Sequence, residues 1–161
     1  IVSSYLEAQK DARKVAQAYL TVPRGALPLG KDRRVHVQDD GTWGRLQISE
    51  ILPAGSNKAV AALALETDAQ MLYDALRRYG FGTKSGFGGI DDNGSLRDAK
   101  AYKHAVMRVA LANGYGLRAT PMQLLRAYAM FVNGGMSVQT HRGGAKTTPH
   151  RAMRKESATC L

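Results

Sequence analysis

The segment from Leu46 to Gly82 constrains the fold of this chain more than any other stretch. It reads LQISEILPAGSNKAVAALALETDAQMLYDALRRYGFG, and its apolar residues recur at helical spacing. We predict a short helix ended by Pro53, a long apolar helix that starts near Ser56, and a third helix closed by Gly80 as its C-terminal glycine. Consecutive helices with apolar faces can bury a shared core, so this segment predicts a central helical layer.

Ser56 and Asn57 stand between the first two of these helices, directly after the small residues Ala54 and Gly55. One interpretation is an N-cap, because Ser and Asn side chains accept hydrogen bonds from the unpaired N–H groups of a first helical turn. The other is a catalytic polar pair held on a rigid helix start. The two residues alone leave both interpretations open.

The segments on either side predict an α+β fold that is mostly helical. Helical spacing favours helices over 1–9, 11–20 and 100–112. Prolines and glycines predict an irregular crossing segment over 21–30, and a weak alternation predicts a short strand over 33–38.

Thr120 begins the most clearly marked helix of the sequence. Pro121 suits the first helical position, and Gln123 completes a capping box with Thr120. Thr67 and Gln70 have the same spacing at the start of the predicted helix that Gly80 closes, with Thr67 as the predicted N-cap. The predicted core face of the last helix consists of Leu124, Leu125, Tyr128, Phe131 and Val132.

Composition limits the classes of partner. The 161 residues suffice for one domain with a hydrophobic core, with 44% hydrophobic and 22% charged residues. The net charge of +10 is spread along the chain without an aromatic-interleaved basic motif, so we interpret it as solvated surface and expect no nucleic-acid partner. A basic nucleic-acid-binding helical protein is an alternative that rests on net charge alone.

Two features bear on the cellular context. Cys160 is the single cysteine, so no disulfide can form within the chain. No apolar run approaches the roughly 20 residues of a membrane span, and no stretch of the given residues has the pattern of a signal peptide. Because the chain starts with Ile1 rather than Met, we expect it to be processed or a piece of a longer protein.

The glycine-rich stretch over 80–94 invites comparison with phosphate-binding loops. Thr83-Lys84-Ser85-Gly86 lacks the glycine that precedes the lysine in a Walker motif, and a predicted helix rather than a strand comes before it. Asp91 and Asp92 resemble part of a calcium loop, but no Glu follows at the required spacing. We therefore expect no cofactor and no metal.

The character of the chain changes near residue 139. The segment 139–161 is basic, has almost no large apolar residues and has no periodicity, so we predict a disordered tail. Residues 1–138 are then the folded domain.

Several short motifs follow one another in a characteristic order. They are Ile48-Ser-Glu-Ile-Leu, the Ser56-Asn57 pair, Val60-x-x-Leu63-Ala64-Leu65, Arg78-Tyr-Gly-Phe-Gly82, Gly114-Tyr-Gly-Leu117, Thr120-Pro-x-Gln-Leu124, Ala127-Tyr-Ala129 and Asn133-Gly-Gly135. In this order the chain resembles the transpeptidase domain of a penicillin-binding protein, best the class B kind of cell division or elongation. The resemblance implies the helical subdomain of a β-lactamase/transpeptidase-like fold, with its central sheet largely missing.

The family uses three catalytic motifs, S-x-x-K, S-x-N and K-[ST]-G. The second falls on Gly55-Ser56-Asn57, so the resemblance implies Ser56 and Asn57 as catalytic residues, with Gly55 where the family has its proton-relay serine. No serine here has a lysine three residues later, and the resemblance implies a nucleophile upstream of Ile1. We interpret Lys146-Thr-Thr148 as a coincidental match to the third motif.

The resemblance implies peptidoglycan cross-linking by acyl transfer on D-Ala-D-Ala stem peptides, with β-lactams as further ligands. It also implies divisome or elongasome membrane proteins as partners and a parent protein anchored in the inner membrane, with this domain in the periplasm. We expect the chain alone to be inactive, and the apolar helix faces over 58–65 and 121–132 to lack part of their partner surface. The alternatives are a class A penicillin-binding protein, a serine β-lactamase-like relative, or a catalytically dead binding or structural module marked by Gly55.

Overall fold

The computed structural model describes residues 1–29, 36–39, 41, 44–86, 92–138, 140 and 148–160. The described α-helices are α1 Val2–Ala8, α2 Ala12–Ala16, α3 Ile51–Ala54, α4 Asn57–Glu66, α5 Ala69–Arg78, α6 Ala105–Ala112, α7 Pro121–Val132 and α8 Lys155–Thr159. Short 3₁₀ helices cover Ile48–Glu50 and Ala99–Lys103. Within these ranges no helix is both long and apolar enough to cross a bilayer.

The described strands are short and pair as antiparallel two-stranded ribbons. They are β1 Tyr19–Thr21, β2 Leu27–Pro28, β3 His36–Val37, β4 Arg45–Gln47, β5 Met136–Ser137 and β6 His150–Arg151. The pairs are β1 with β4, β2 with β3, and β5 with β6. The predicted strand over 33–38 is confirmed at His36 and Val37, and its first residues lie outside the described ranges.

The pairing of β1 with β4 corrects two predictions. Tyr19 and Leu20 were expected in a helix and Leu46 at a helix start, but Leu20 lies opposite Leu46 in the ribbon. The Arg45 guanidinium also lies 4.6 Å from the centre of the Tyr19 ring, a cation–π contact across the two strands. Cross-strand pairs of this kind outweigh the weak helical spacing of a short segment.

Helix α4 is the centre of the packing. On one side Leu63 shares a core with Val2 and Leu6 of α1, and on the other Ala61 packs against Val109 of α6. Its alanines allow these neighbours to approach closely, so the face that was expected to lack part of its partner surface is covered at Ala61, Leu63 and Ala64.

Most helix ends were predicted correctly from residues close to them in sequence. Thr120 and Gln123 form the predicted capping box, with Pro121 at the first helical position. Gly80 follows α5 with φ of 94°, and the N–H groups of Gly80 and Phe81 donate to carbonyls of the last turn, as in a Schellman motif. The N-cap of α5 is Asp68 rather than the predicted Thr67, since its carboxylate accepts from two N–H groups of the first turn.

Helix α7 buries a face other than the predicted one, and of the predicted core residues Phe131 alone packs, partly buried, against the described core. Its buried residues are Gln123, Arg126, Ala127 and Met130. The predicted core residues Leu124, Leu125, Tyr128 and Val132 are exposed, Val132 by 90%. Polar side chains face inward because Gln123 and Arg126 donate to backbone carbonyls of the glycine-rich segment. The expected unpartnered apolar surface is therefore present on α7.

The prediction of disorder for 139–161 is wrong for the described residues 148–160. Strand β6 pairs with β5, and Met153 is 1% exposed in a core shared with Met130 of α7 and Tyr79. A few well-placed apolar side chains suffice here, because the surrounding helices supply the rest of the core.

Arg154 adds a polar anchor that periodicity cannot reveal. Its Nη2 atom donates to the carbonyl oxygens of Leu6 and Gln9, each at 2.7 Å, at the C-terminal end of α1. Its backbone N–H donates to Glu7 Oε1 at 2.8 Å. A cation at the carbonyl end of a helix is favourable, so Arg154 fastens the tail to α1.

Candidate active site

Ser56 caps helix α4. Its Oγ accepts a hydrogen bond from the Ala59 N–H at 3.2 Å and donates to Asp39 Oδ2 at 2.5 Å. The side chain is fully buried, so the structure gives Ser56 the capping role, the first of the two interpretations. Its participation in catalysis stays a prediction.

Asp39 is the residue that sequence reasoning missed at this helix start. Its carboxylate accepts from the Ser56 hydroxyl and from the Lys58 N–H at 3.3 Å. Desolvation by burial raises the pKa of this carboxyl. The two hydrogen bonds lower it, as do a third hydrogen bond from the Gly41 N–H and the positive charge of Lys58. Together they outweigh desolvation, so the pKa lies below its ordinary value. A carboxylate at the N-terminal end of α4 also complements the helix dipole.

We expect the Ser56→Ala substitution to lower the free energy of unfolding by about 1–2 kcal/mol at neutral pH, because it removes a cap and a bond to a carboxylate. Since the folded-state pKa of Asp39 is lowered, its contribution is full above the unfolded value of about 3.9 and is lost as the pH falls through the folded value. The loss caused by Ser56→Ala should therefore shrink as the pH falls below that unfolded value. Urea denaturation at several pH values measures this, with the exposed Ser95→Ala as control; a loss of equal size at every pH would contradict it.

Lys58 fastens the crossing segment to the same helix. Its side chain is buried, and Nζ donates to the carbonyl oxygens of Pro23 at 2.9 Å, Gly25 at 3.3 Å and Arg24 at 3.4 Å. A buried ammonium needs such partners to offset its lost hydration. Ser56, Asp39 and Lys58 together fix the start of α4.

Asn57 is exposed and borders a groove of about 350 Å³. The other polar residues of the groove are His36, Gln38, Asn113 and Tyr115, and its apolar residues are Leu29, Val37, Val106, Val109 and Ala110. Amide groups can donate and accept at once, so this lining suits a ligand with peptide bonds. Of the predicted pair, the structure thus presents Asn57 and buries Ser56.

Gly55 ends α3 in the left-handed region, with φ of 63°. A Cβ built there would meet no atom within 4 Å, so space for a serine exists but its backbone conformation disfavours one. Of the other residues singled out in the sequence, Lys146, Thr147 and Asp91 lie outside the described ranges.

Comparison with known proteins identifies the family. A sequence profile for the penicillin binding protein transpeptidase domain matches residues 15–158. The chain belongs to this family. The match extends across the predicted domain boundary at residue 138 and into the tail.

Curated relatives of this transpeptidase domain are peptidoglycan D,D-transpeptidases. The chain is 31% identical over 93 residues to FtsI of Escherichia coli K12, a match that covers 58% of the chain and 16% of that protein. It is 37% identical over 93 residues to FtsI of Buchnera aphidicola subsp. Baizongia pistaciae, covering 57% of the chain and 16% of that protein. The chain thus spans less than a fifth of these relatives, which favour the class B interpretation over class A.

Solved structures confirm the fold. The apo transpeptidase domain of penicillin-binding protein 3 from Burkholderia pseudomallei superimposes with a TM-score of 0.84 at 21% identity, over 99% of this chain and 47% of that one. Penicillin-binding protein 3 from Mycobacterium tuberculosis, complexed with aztreonam, gives 0.82 at 20% identity, over 99% and 37%. The predicted α+β, transpeptidase-like fold is correct, and the chain represents part of it.

Proposed function

We propose that this chain is the helical part of a class B peptidoglycan D,D-transpeptidase. The observation that carries the proposal is the profile match over residues 15–158 together with Asn57, which matches the asparagine of the S-x-N motif and lies exposed at a groove. The FtsI relatives bear the name of this activity. The same relationship supports a role in cell division, membrane-protein partners and a periplasmic location for the parent protein.

The proposed reaction is acyl transfer. A serine supplied by residues outside this chain attacks the carbonyl carbon between the two D-Ala residues of a stem peptide, and the terminal D-Ala leaves with its amine protonated. The amine of a neighbouring stem then attacks the acyl-enzyme ester, which forms the cross-link and returns the proton to the serine. β-Lactams would acylate the same serine.

Within this reaction Asn57 would orient the substrate amide. Its backbone position at the first residue of α4 is fixed by the contacts of Ser56, Asp39 and Lys58, so the start point of its side chain at the groove is held in place. Ser56 is then a positioning residue, and its hydroxyl is committed to Asp39 and Ala59.

The test is acylation by a fluorescent penicillin of the complete transpeptidase that contains this segment. We expect Asn57→Ala to slow acylation by about 10- to 100-fold, and Asn133→Ala, an exposed asparagine at the end of α7, to leave the rate unchanged. The 161-residue chain alone should form no adduct. Equal rates for the two variants would overturn the role of Asn57, and a covalent adduct on the isolated chain would overturn the placement of the nucleophile outside it.

A further inference from the structure

A second concave site lies at the opposite end of α5 from its N-cap. This cationic pocket, as we call it, has a volume of about 420 Å³ and is lined by Arg77, Arg78, Lys84, Arg126 and His150, with Gly80, Thr83, Ser85 and Gly86 between them. No acidic side chain is among these lining residues. Part of the net positive charge that the sequence spreads along the chain is therefore gathered at one place.

Arg126 forms the buried side of the pocket. It is 9% exposed, and its guanidinium lies against Gly80, where a Cβ would come within 3.4 Å of Cζ. Its Nη1 makes long contacts of 3.4 and 3.5 Å to the carbonyl oxygens of Ser85 and Lys84, and its Nε–H is buried without an acceptor in the described ranges. A buried guanidinium held this weakly is costly in the absence of a counter-charge.

The other cations of the pocket are anchored rather than neutralised. Arg77 donates to the Gly82 carbonyl at 2.6 Å and Arg78 to the Ala152 carbonyl at 3.3 Å. The ion pairs found among the described residues are Arg118 with Asp92 and Arg154 with Glu7, and neither includes a residue of the pocket. Each guanidinium therefore retains donors for a ligand.

We propose that the cationic pocket binds a phosphate-type oligoanion, such as a diphosphate or a phosphate ester. Four arginine and lysine cations around one cavity call for several negative charges on a single ligand, and a lone carboxylate supplies one. A phosphoryl group offers three acceptor oxygens and up to two charges, which suits the forked donors of arginine. The site is not a Walker loop, because helix α5 rather than a strand leads into it.

Isothermal titration of the 161-residue chain with inorganic pyrophosphate tests the proposal. We expect saturable binding that weakens as salt is raised. Lys84→Gln should weaken it about 10-fold, since Lys84 is exposed and its loss removes a charge-assisted contact without removing core packing. Lys103→Gln is the matched control, because it removes the same charge from an exposed lysine of the Ala99–Lys103 segment, outside the pocket. It should change the affinity for pyrophosphate by less than about 2-fold.

The remaining arms identify the source of the anion. The chain is sedimented with phosphatidylcholine vesicles that contain phosphatidylglycerol. Co-sedimentation that Lys84→Gln reduces and pyrophosphate competes assigns the ligand to a lipid headgroup. Pyrophosphate binding without vesicle binding assigns it to a free phosphate compound. Tighter binding of citrate than of pyrophosphate, no saturable binding, or equal weakening by both lysine variants would overturn the proposal. Penicillin acylation depends on Asn57 and its groove, so the two proposals can fail separately.

Discussion

Replacing Gln123 by Glu should lower the free energy of unfolding by at least about 3 kcal/mol at neutral pH. Gln123 is fully buried, and its Nε2 donates to the carbonyl oxygens of Thr83 at 2.7 Å and Asn93 at 2.8 Å. Its Oε1 accepts from the Thr120 N–H at 2.9 Å. The substitution keeps the acceptor and the volume but directs a carboxylate oxygen at two carbonyl oxygens, so it removes both hydrogen bonds that Gln123 donates to the glycine-rich segment.

The pH dependence of this loss separates the effect of the introduced negative charge from the effect of the changed side-chain shape. Burial and two facing carbonyls would raise the pKa of the introduced carboxyl above its unfolded value of about 4.3. Stability should then be partly recovered below that value, where the protonated carboxyl can donate one bond, and be lost as the pH rises through the folded-state pKa.

Urea denaturation between about pH 4 and pH 7 measures this loss. Gln17→Glu, at an exposed position after α2, is the matched control and should change stability by less than about 0.5 kcal/mol. A loss below about 1 kcal/mol for Gln123→Glu at neutral pH would contradict the clamp described for Gln123.

Helix ends were predictable because their causes are local. The capping box of Thr120 and Gln123, and the glycine after α5, depend on residues a few positions apart. The same applies to the start of α4 at Ser56. Family motifs then carried the prediction from these helices to the transpeptidase fold, since they fix the order of the elements.

The orientation of α7 and the order of the tail were not predictable, because each depends on distant partners. Gln123 meets carbonyls some 30 and 40 positions away, and Arg154 meets α1 carbonyls from the other end of the chain. Apolar periodicity identifies an amphipathic face but not which side of a helix the rest of the chain covers. Polar anchors decided both cases.

The candidate site divides in the same way. The motif identified Ser56 and Asn57 as candidates, but it could not predict that Ser56 is buried whereas Asn57 borders a groove. Asp39 is 17 positions from Ser56, and the pairing of its carboxylate with that hydroxyl places the residues after β3 at the start of α4. Neighbours in a motif can thus have different environments, one buried in a helix cap and one exposed at a groove.

Replacing Gly135 by Ala should cost about 3–4 kcal/mol of unfolding free energy, whereas Gly134→Ala should cost about 1 kcal/mol. Both glycines follow α7 with φ in the left-handed region, 59° for Gly134 and 85° for Gly135, so both alanine variants bear a similar backbone penalty. They differ in surroundings. A Cβ at Gly134 would be 3.7 Å from Lys155 Cγ, an ordinary contact, whereas one at Gly135 would overlap the Met153 carbonyl oxygen.

That overlap falls where the tail docks, since the Gly135 carbonyl accepts from the N–H groups of Ala152 at 2.9 Å and Met153 at 3.2 Å. Gly135→Ala should therefore release the tail as well as destabilise the core. Cys160, partly buried against the α1 core and the single thiol of the chain, reports on release, because its reaction with an aromatic disulfide reagent speeds up when the tail detaches. Equal stability losses for the two variants, with unchanged thiol reactivity, would show that the tail does not depend on this contact. The expected result is a larger loss for Gly135→Ala than for Gly134→Ala, with a faster thiol reaction in Gly135→Ala alone.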